Sequence, residues 1–105
     1  MNNYNNRVSY SPQNRNYIPT SSGVYIITDT WGNVKYVGQA NDLRRRYEEH
    51  LSYQEPNIEL RNFLRNNYAF FQYEVIYYQG DRNSEELRIY RMYRPPFNHM
   101  QPPAA

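Results

Sequence analysis

The chain has 105 residues, no cysteine, and 12 Lys plus Arg against 10 Asp plus Glu, for a net charge of +2. That length holds one domain and no second catalytic unit, the missing cysteines exclude a disulfide scaffold and cysteine-held zinc, and the charge is too small to argue for nucleic acid unaided. Hydrophobic residues make up only 39% of the chain while thirteen tyrosines lift the aromatics to 17%, so the core must be built largely from rings with polar tips that need hydrogen-bond partners.

Residues 1–20, rich in Asn, Ser, Tyr and Pro without a period, read as a flexible or loosely docked arm. "GVYIIT" from Gly23 is a strand by its β-branched and aromatic content, "DTWGN" a turn and "VKYVG" the return strand of a hairpin. Asn41 or Asp42 caps a helix with Leu43, Tyr47 and Leu51 at i, i+4, i+8. A second helix carries Ile58, Leu60, Phe63 and Leu64 and stops at Asn66-Asn67. "AFFQYEVIYYQ" is a strand with rings on both faces, expected to be covered on both sides. Asn83 and Glu86 have capping-box spacing, opening a third helix that ends before Pro95-Pro96. The order ββααβα predicts an α+β class fold, a small sandwich around a mostly antiparallel three-stranded sheet flanked by helices. The domain is expected over 21–98, with a short Pro-rich tail at 99–105. No apolar run is long enough to span a membrane and no charged-then-apolar leader is present, so an intracellular address is expected.

Two helices place ionisable groups on or beside their apolar stripes. Glu86, Ile89, Tyr90 and Tyr93 run i, i+3, i+4, i+7. A carboxylate therefore heads an apolar face, where it either caps the helix or meets a cation, a donor or a metal. Arg46 and His50 are i, i+4 neighbours flanking the first helix's stripe. They make either an oxyanion site or an Arg that snorkels over the core beside an amphipathic His. Tyr25 and Tyr36 read as packing residues by themselves, and Gly38 as a close backbone approach or a plain strand-to-helix turn. His50 and His99, the only histidines, are 49 residues apart and give no zinc-ligand spacing. The four glycines form no phosphate loop, and no serine sits in a nucleophile motif.

Taken in order, "GVY" at 23–25, "YVG" at 36–38, Arg46 ten residues after Tyr36, and Glu86 followed twelve residues later by Asn98 in "PPFN" resemble the GIY-YIG nuclease family. The resemblance runs from Pro19 to Asn98. "YVGQANDLRRRYEEHL" is similar to phage intron-encoded homing endonucleases, His50 included, and "IPTSSGVY" to the incision domain of the excision-repair nuclease subunit. It implies an endonuclease using one Mg2+ or Mn2+ ion, held by Glu86, with Arg46 clamping the scissile phosphate beside Gly38 and Gln39. Tyr25 would be the general base and Tyr36 would orient the attacking water or the phosphate. Asn98 would brace the metal side, and His50 would hydrogen-bond a tyrosine or the phosphate. Gln39 departs from the Lys of repair-type relatives. One such centre cuts one strand, so a nick in DNA is expected, with RNA left open and a homodimer or partner protein as sources of specificity. The alternative that the resemblance allows is a weak or inactive module that binds nucleic acid or a protein.

Overall fold

The computed structural model describes residues 6–99. In chain order these form β1 (Val8–Ser9), a 3-10 turn (Pro12–Tyr17), β2 (Gly23–Thr28), β3 (Val34–Ala40), α1 (Leu43–His50), α2 (Ile58–Asn66), β4 (Phe70–Val75) and α3 (Gln79–Tyr93). Local chemistry accounts for most boundaries. The Asp29 carboxylate accepts from the Trp31 and Asn33 backbone N–H groups and from the Asn33 side chain, closing the β2–β3 turn, where Gly32 takes a φ of 86°. Asp42 caps α1 by accepting from Arg45 N, and Asn57 caps α2 by accepting from Leu60 N. Arg94 turns left-handed at the end of α3, immediately before the two prolines.

The sheet is antiparallel throughout in the order β1-β4-β2-β3. Its register places Tyr25, Ile27, Tyr36, Gly38, Ala40 and Phe71 on one face, packed with Leu43 and Tyr47 of α1 and Leu60 of α2. Val24, Ile26 and Val37 take the other face with Ile89 of α3. The molecule is thus three layers, with helices on both sides of a sheet that has β3 as one of its two outer strands.

Two expectations change, and one that allowed a flexible or a docked arm is narrowed. The sheet has four strands, because Val8–Ser9 pairs with Phe70–Phe71; a two-residue strand is too short to carry a period. The expected arm is docked over its described part, with Ile18 fully buried and Tyr10 stacked on Tyr47 at 4.4 Å. Residues 1–5 of that arm and 100–105 of the expected tail lie outside the described residues. The third helix starts at Gln79 rather than at Asn83, so Asn83 lies inside it and its side chain has another role.

Candidate active site

Gly38 makes a gap in the outer strand, and Tyr25 fills it. The two stand opposite each other in the β2–β3 ladder, and a Cβ on residue 38 would lie 2.6 Å from the Tyr25 Cζ. Glycine is needed here for close approach, not for a positive φ. The Tyr36 ring lies 6.2 Å from that of Tyr25 and 5.3 Å from His50, centroid to centroid. His50, on the last turn of α1, is 1% exposed. Its Nε2 is 2.6 Å from the Tyr25 hydroxyl, and its Nδ1 is 2.6 Å from Glu55 Oε1. The second oxygen of Glu55 accepts from Asn57 N at 2.9 Å. Arg46, one turn before His50, keeps its side chain 32% exposed and donates to Glu49 at 2.9 Å.

Electrostatics ties these groups together. Burial raises the Tyr25 phenol well above its ordinary value, Tyr36 adds to this, and the Arg46 guanidinium opposes it. Tyr36 is raised for the same first reason and is likewise opposed by Arg46. Burial holds His50 below the ordinary imidazole range despite the Glu55 hydrogen bond, so it is neutral at pH 7. Burial works against ionisation of Glu55, but hydrogen bonds from His50 and Asn57 prevail and lower it.

Across the strand, on the α3 face, Gln39 Nε2 donates to Glu86 Oε1 at 2.8 Å and to Asn83 Oδ1 at 2.7 Å. Gln79 Nε2 donates to Gln39 Oε1 and again to Asn83 Oδ1. Arg82 extends the network by donating to Gln79 Oε1 at 3.0 Å. Glu86 is 8% exposed. Burial raises its pKa, and the neutral Gln39 amide is what opposes that rise. A hydrogen-bonded carboxylate short of positive charge suits a hard cation. Among the described residues no group of three His, Cys, Asp or Glu gathers at any point, so a cation here would rest on one carboxylate, with water and substrate oxygens completing its shell. Glu86 acts on Tyr25 and Tyr36 through space, whereas Arg46 acts on both by its charge and by hydrogen bonding, so the edge at Gly38 is where the two faces meet electrostatically.

Asn98 stands apart from this cluster. Its Oδ1 accepts from Val37 N and its Nδ2 donates to Val37 O, both at 2.9 Å. It therefore braces the backbone of β3 like a short extra strand. Sequence reasoning missed Glu55, Gln79 and Asn83 as members of the network. Glu55 lies in an aperiodic loop before Pro56 and offers no pattern to read, whereas Asn83 carried a signal, its three-residue spacing to Glu86, that fits a cap and an intrahelical neighbour equally well.

The GIY-YIG catalytic domain family matches residues 21–101. The UvrABC system protein C of Geotalea daltonii is 30% identical over 82 residues, covering 78% of this chain, and the matched part is 13% of that protein's length. Crystal structures of the GIY-YIG N-terminal endonuclease domain of UvrC from Thermotoga maritima share the fold. One, with magnesium as its catalytic divalent cation, aligns with a TM-score of 0.65 at 22% identity, over 82% of this chain and 92% of that one. A point mutant of the same domain, also bound to its catalytic divalent cation, gives 0.67 at 20% identity over 84% and 93%. The family match covers most of the chain and takes in the hairpin, the arginine helix and the carboxylate helix just described, and the chain belongs to the GIY-YIG family of endonuclease catalytic domains.

Proposed function

We propose that this domain hydrolyses DNA phosphodiester bonds with one divalent cation, Mg2+ or Mn2+, and cuts one strand per encounter. The observation that carries the reading is the meeting of two phenols, a guanidinium and a partner-poor carboxylate around one strand edge. Glu86 would hold the cation, which supplies Lewis-acid polarisation of the phosphodiester and stabilises the leaving oxygen. Arg46 would leave Glu49 for the scissile phosphate, a stronger and bidentate acceptor, and neutralise charge that builds up on it. The same alternation that points the Val37 N–H outward to Asn98 points the Gln39 N–H outward one step further along β3, where it can donate to a phosphate oxygen. Gly38 brings the Tyr25 hydroxyl up against the same stretch of β3.

Tyr25 has no exposed surface. It can take a proton from water only when the groups over it move, and departure of Arg46 toward substrate would do this. Tyr36, half-buried and nearer solvent, would orient the incoming water. Asn98 would keep the β3 edge straight under the phosphate. DNA is the substrate class that the UvrC likeness favours, and a partner protein or a second copy of this chain would supply specificity.

The test is a supercoiled plasmid incubated with Mg2+ or Mn2+. Open circles should accumulate before linear product, and both EDTA and Glu86→Gln should abolish them. Nicking that survives either treatment would refute this mechanism. Plasmid that is bound in a salt-sensitive way but never cut would make the domain a binding module instead.

A further inference from the structure

The carboxylate behind His50 is not among the groups assigned above to phosphate or cation, yet the fold keeps it ionised while nearly buried. We infer that Glu55 is a positioning residue that fixes His50 as its Nδ1–H tautomer, so that Nε2 is the acceptor for the Tyr25 proton. Its consequence for catalysis rests on the nuclease reading above; the tautomer itself does not.

The assignment follows from counting protons. Glu55 is 4% exposed; one oxygen meets His50 Nδ1 and the other accepts from Asn57 N. Asn57 is itself locked, accepting from Leu60 N and donating to Phe97 O at 2.8 Å. An ionised carboxylate has no hydrogen to give, so Nδ1 must carry one. A neutral imidazole carries only one, so Nε2 presents a lone pair to Tyr25, and the phenol donates across their 2.6 Å contact. The groups acting on His50 from the surrounding elements are Tyr25 of β2, Tyr36 of β3, Arg46 and Glu49 of α1, and Glu55 of the following loop. Burial and Arg46 hold the ring neutral, which is the state the argument needs.

This arrangement answers a problem in using a phenol as a base, since a phenolate is scarce at neutral pH when the group's ordinary pKa is about 10. A water O–H bond breaks, its proton goes to Tyr25 Oη and its electron pair forms the new P–O bond. The proton already on Oη passes to His50 Nε2. The leaving oxygen departs with the electron pair of the broken P–O bond and takes a proton from solvent. Tyr25 ends the step neutral, and the imidazolium lies against the Glu55 carboxylate.

Glu55→Gln is the decisive variant. The Asn57 N–H needs an acceptor, so the new carbonyl oxygen will face it and the NH2 will face His50. That forces the ring hydrogen onto Nε2, pointing at Tyr25. Long-range 1H–15N NMR of the full chain should show the Nδ1–H tautomer in the native protein and in Glu55→Asp, and the Nε2–H tautomer in Glu55→Gln. In plasmid nicking, Glu55→Gln should lower kcat on the order of 10²- to 10⁴-fold, by analogy with the same change in a serine-protease triad. KM should stay nearly constant, the deficit should narrow as pH rises, and Glu55→Asp should recover part of the rate. An Nε2–H tautomer in the native protein would overturn the inference even if the Gln variant failed to fold. So would an unchanged kcat–pH profile in a folded Glu55→Gln. A native chain with the Nδ1–H tautomer that never nicks would instead sink the nuclease reading and leave Glu55's hold on His50 standing.

Discussion

Gly38 shows how a single missing side chain can define a site. Tyr25 is fixed there from two sides, by its hydrogen bond to His50 and by stacking on Phe71 at 5.0 Å between centroids. It is fully buried, so a methyl group at position 38 must push the phenol off His50 or bend the outer strand. Gly38→Ala should therefore cost about 1–3 kcal/mol of stability as an overpacked site, and should lower nicking at least tenfold even in the folded fraction. Urea unfolding and plasmid nicking on the same sample separate the two effects; a variant with native midpoint and native rate would show that the close approach is unimportant. At this scale the sequence was most informative where chemistry conflicts with packing. Glu86 on an apolar stripe and the Arg46–His50 pair beside another are visible as anomalies of period, because burying charge is costly enough to need a reason. Glu55 is equally buried but belongs to no stripe, and its significance exists only through a fold that brings His50 over it.

The elements divide by how much local sequence commits them. The hairpin, α1 and α2 announce themselves through turn and cap residues whose side chains satisfy the backbone directly. At α3 no such signal exists: its N-cap is Tyr78, which makes no side-chain cap bond. Its first turn holds Gly80, a poor helix former, so the Gln79 bond to Gln39 of β3 and the Arg82 bonds to the Ile76 and Tyr77 carbonyls just before the helix must hold that turn. The segment before the hairpin is the other case. Tyr47 donates to Ser11 O and accepts from Ser11 N, while Tyr10 donates to Tyr47 O. These bonds clasp the 3-10 turn to α1, and Ile18 then seals the layer. Ile18 precedes the residues matched by the family, yet it is as buried as any core residue. Ile18→Ala should destabilise the domain by about 2–4 kcal/mol, read as a shift of the urea midpoint at constant slope. A loss below about 0.5 kcal/mol, ordinary for a surface position, would mean that the segment is a loose arm after all.

Taken whole, the molecule keeps its net charge small, so its response to acid above the range where Asp29 titrates should be governed by three buried groups, with partly exposed Glu74 adding a shift of the same sign as that of Glu86. Folding lowers the pKa of His50 from 6.5, so its contribution is complete above that value and is lost as pH falls toward the depressed one, because the unfolded chain binds the proton first. Folding also lowers Glu55 from 4.5, and that contribution is lost at still lower pH. Glu86 has the opposite sign. Its pKa is raised from 4.5, so the folded state is penalised at neutral pH and relieved as the carboxyl takes up its proton. The metal-free domain should therefore lose stability below about pH 6.5, with Glu86 blunting the fall once its carboxyl begins to take up its proton, above 4.5. Glu86→Gln removes the penalty and the blunting together: it should be more stable than the native chain at pH 7.5 in EDTA and should fall more steeply with acid. His50→Gln should flatten the limb near pH 6. Urea midpoints between pH 4.5 and 8 measure all three, and the sign at Glu86 is the sharpest discriminator. A site whose carboxylate serves a cation should gain stability when that carboxylate is neutralised in the cation's absence, whereas one that merely ties the helix to Gln39 should lose it.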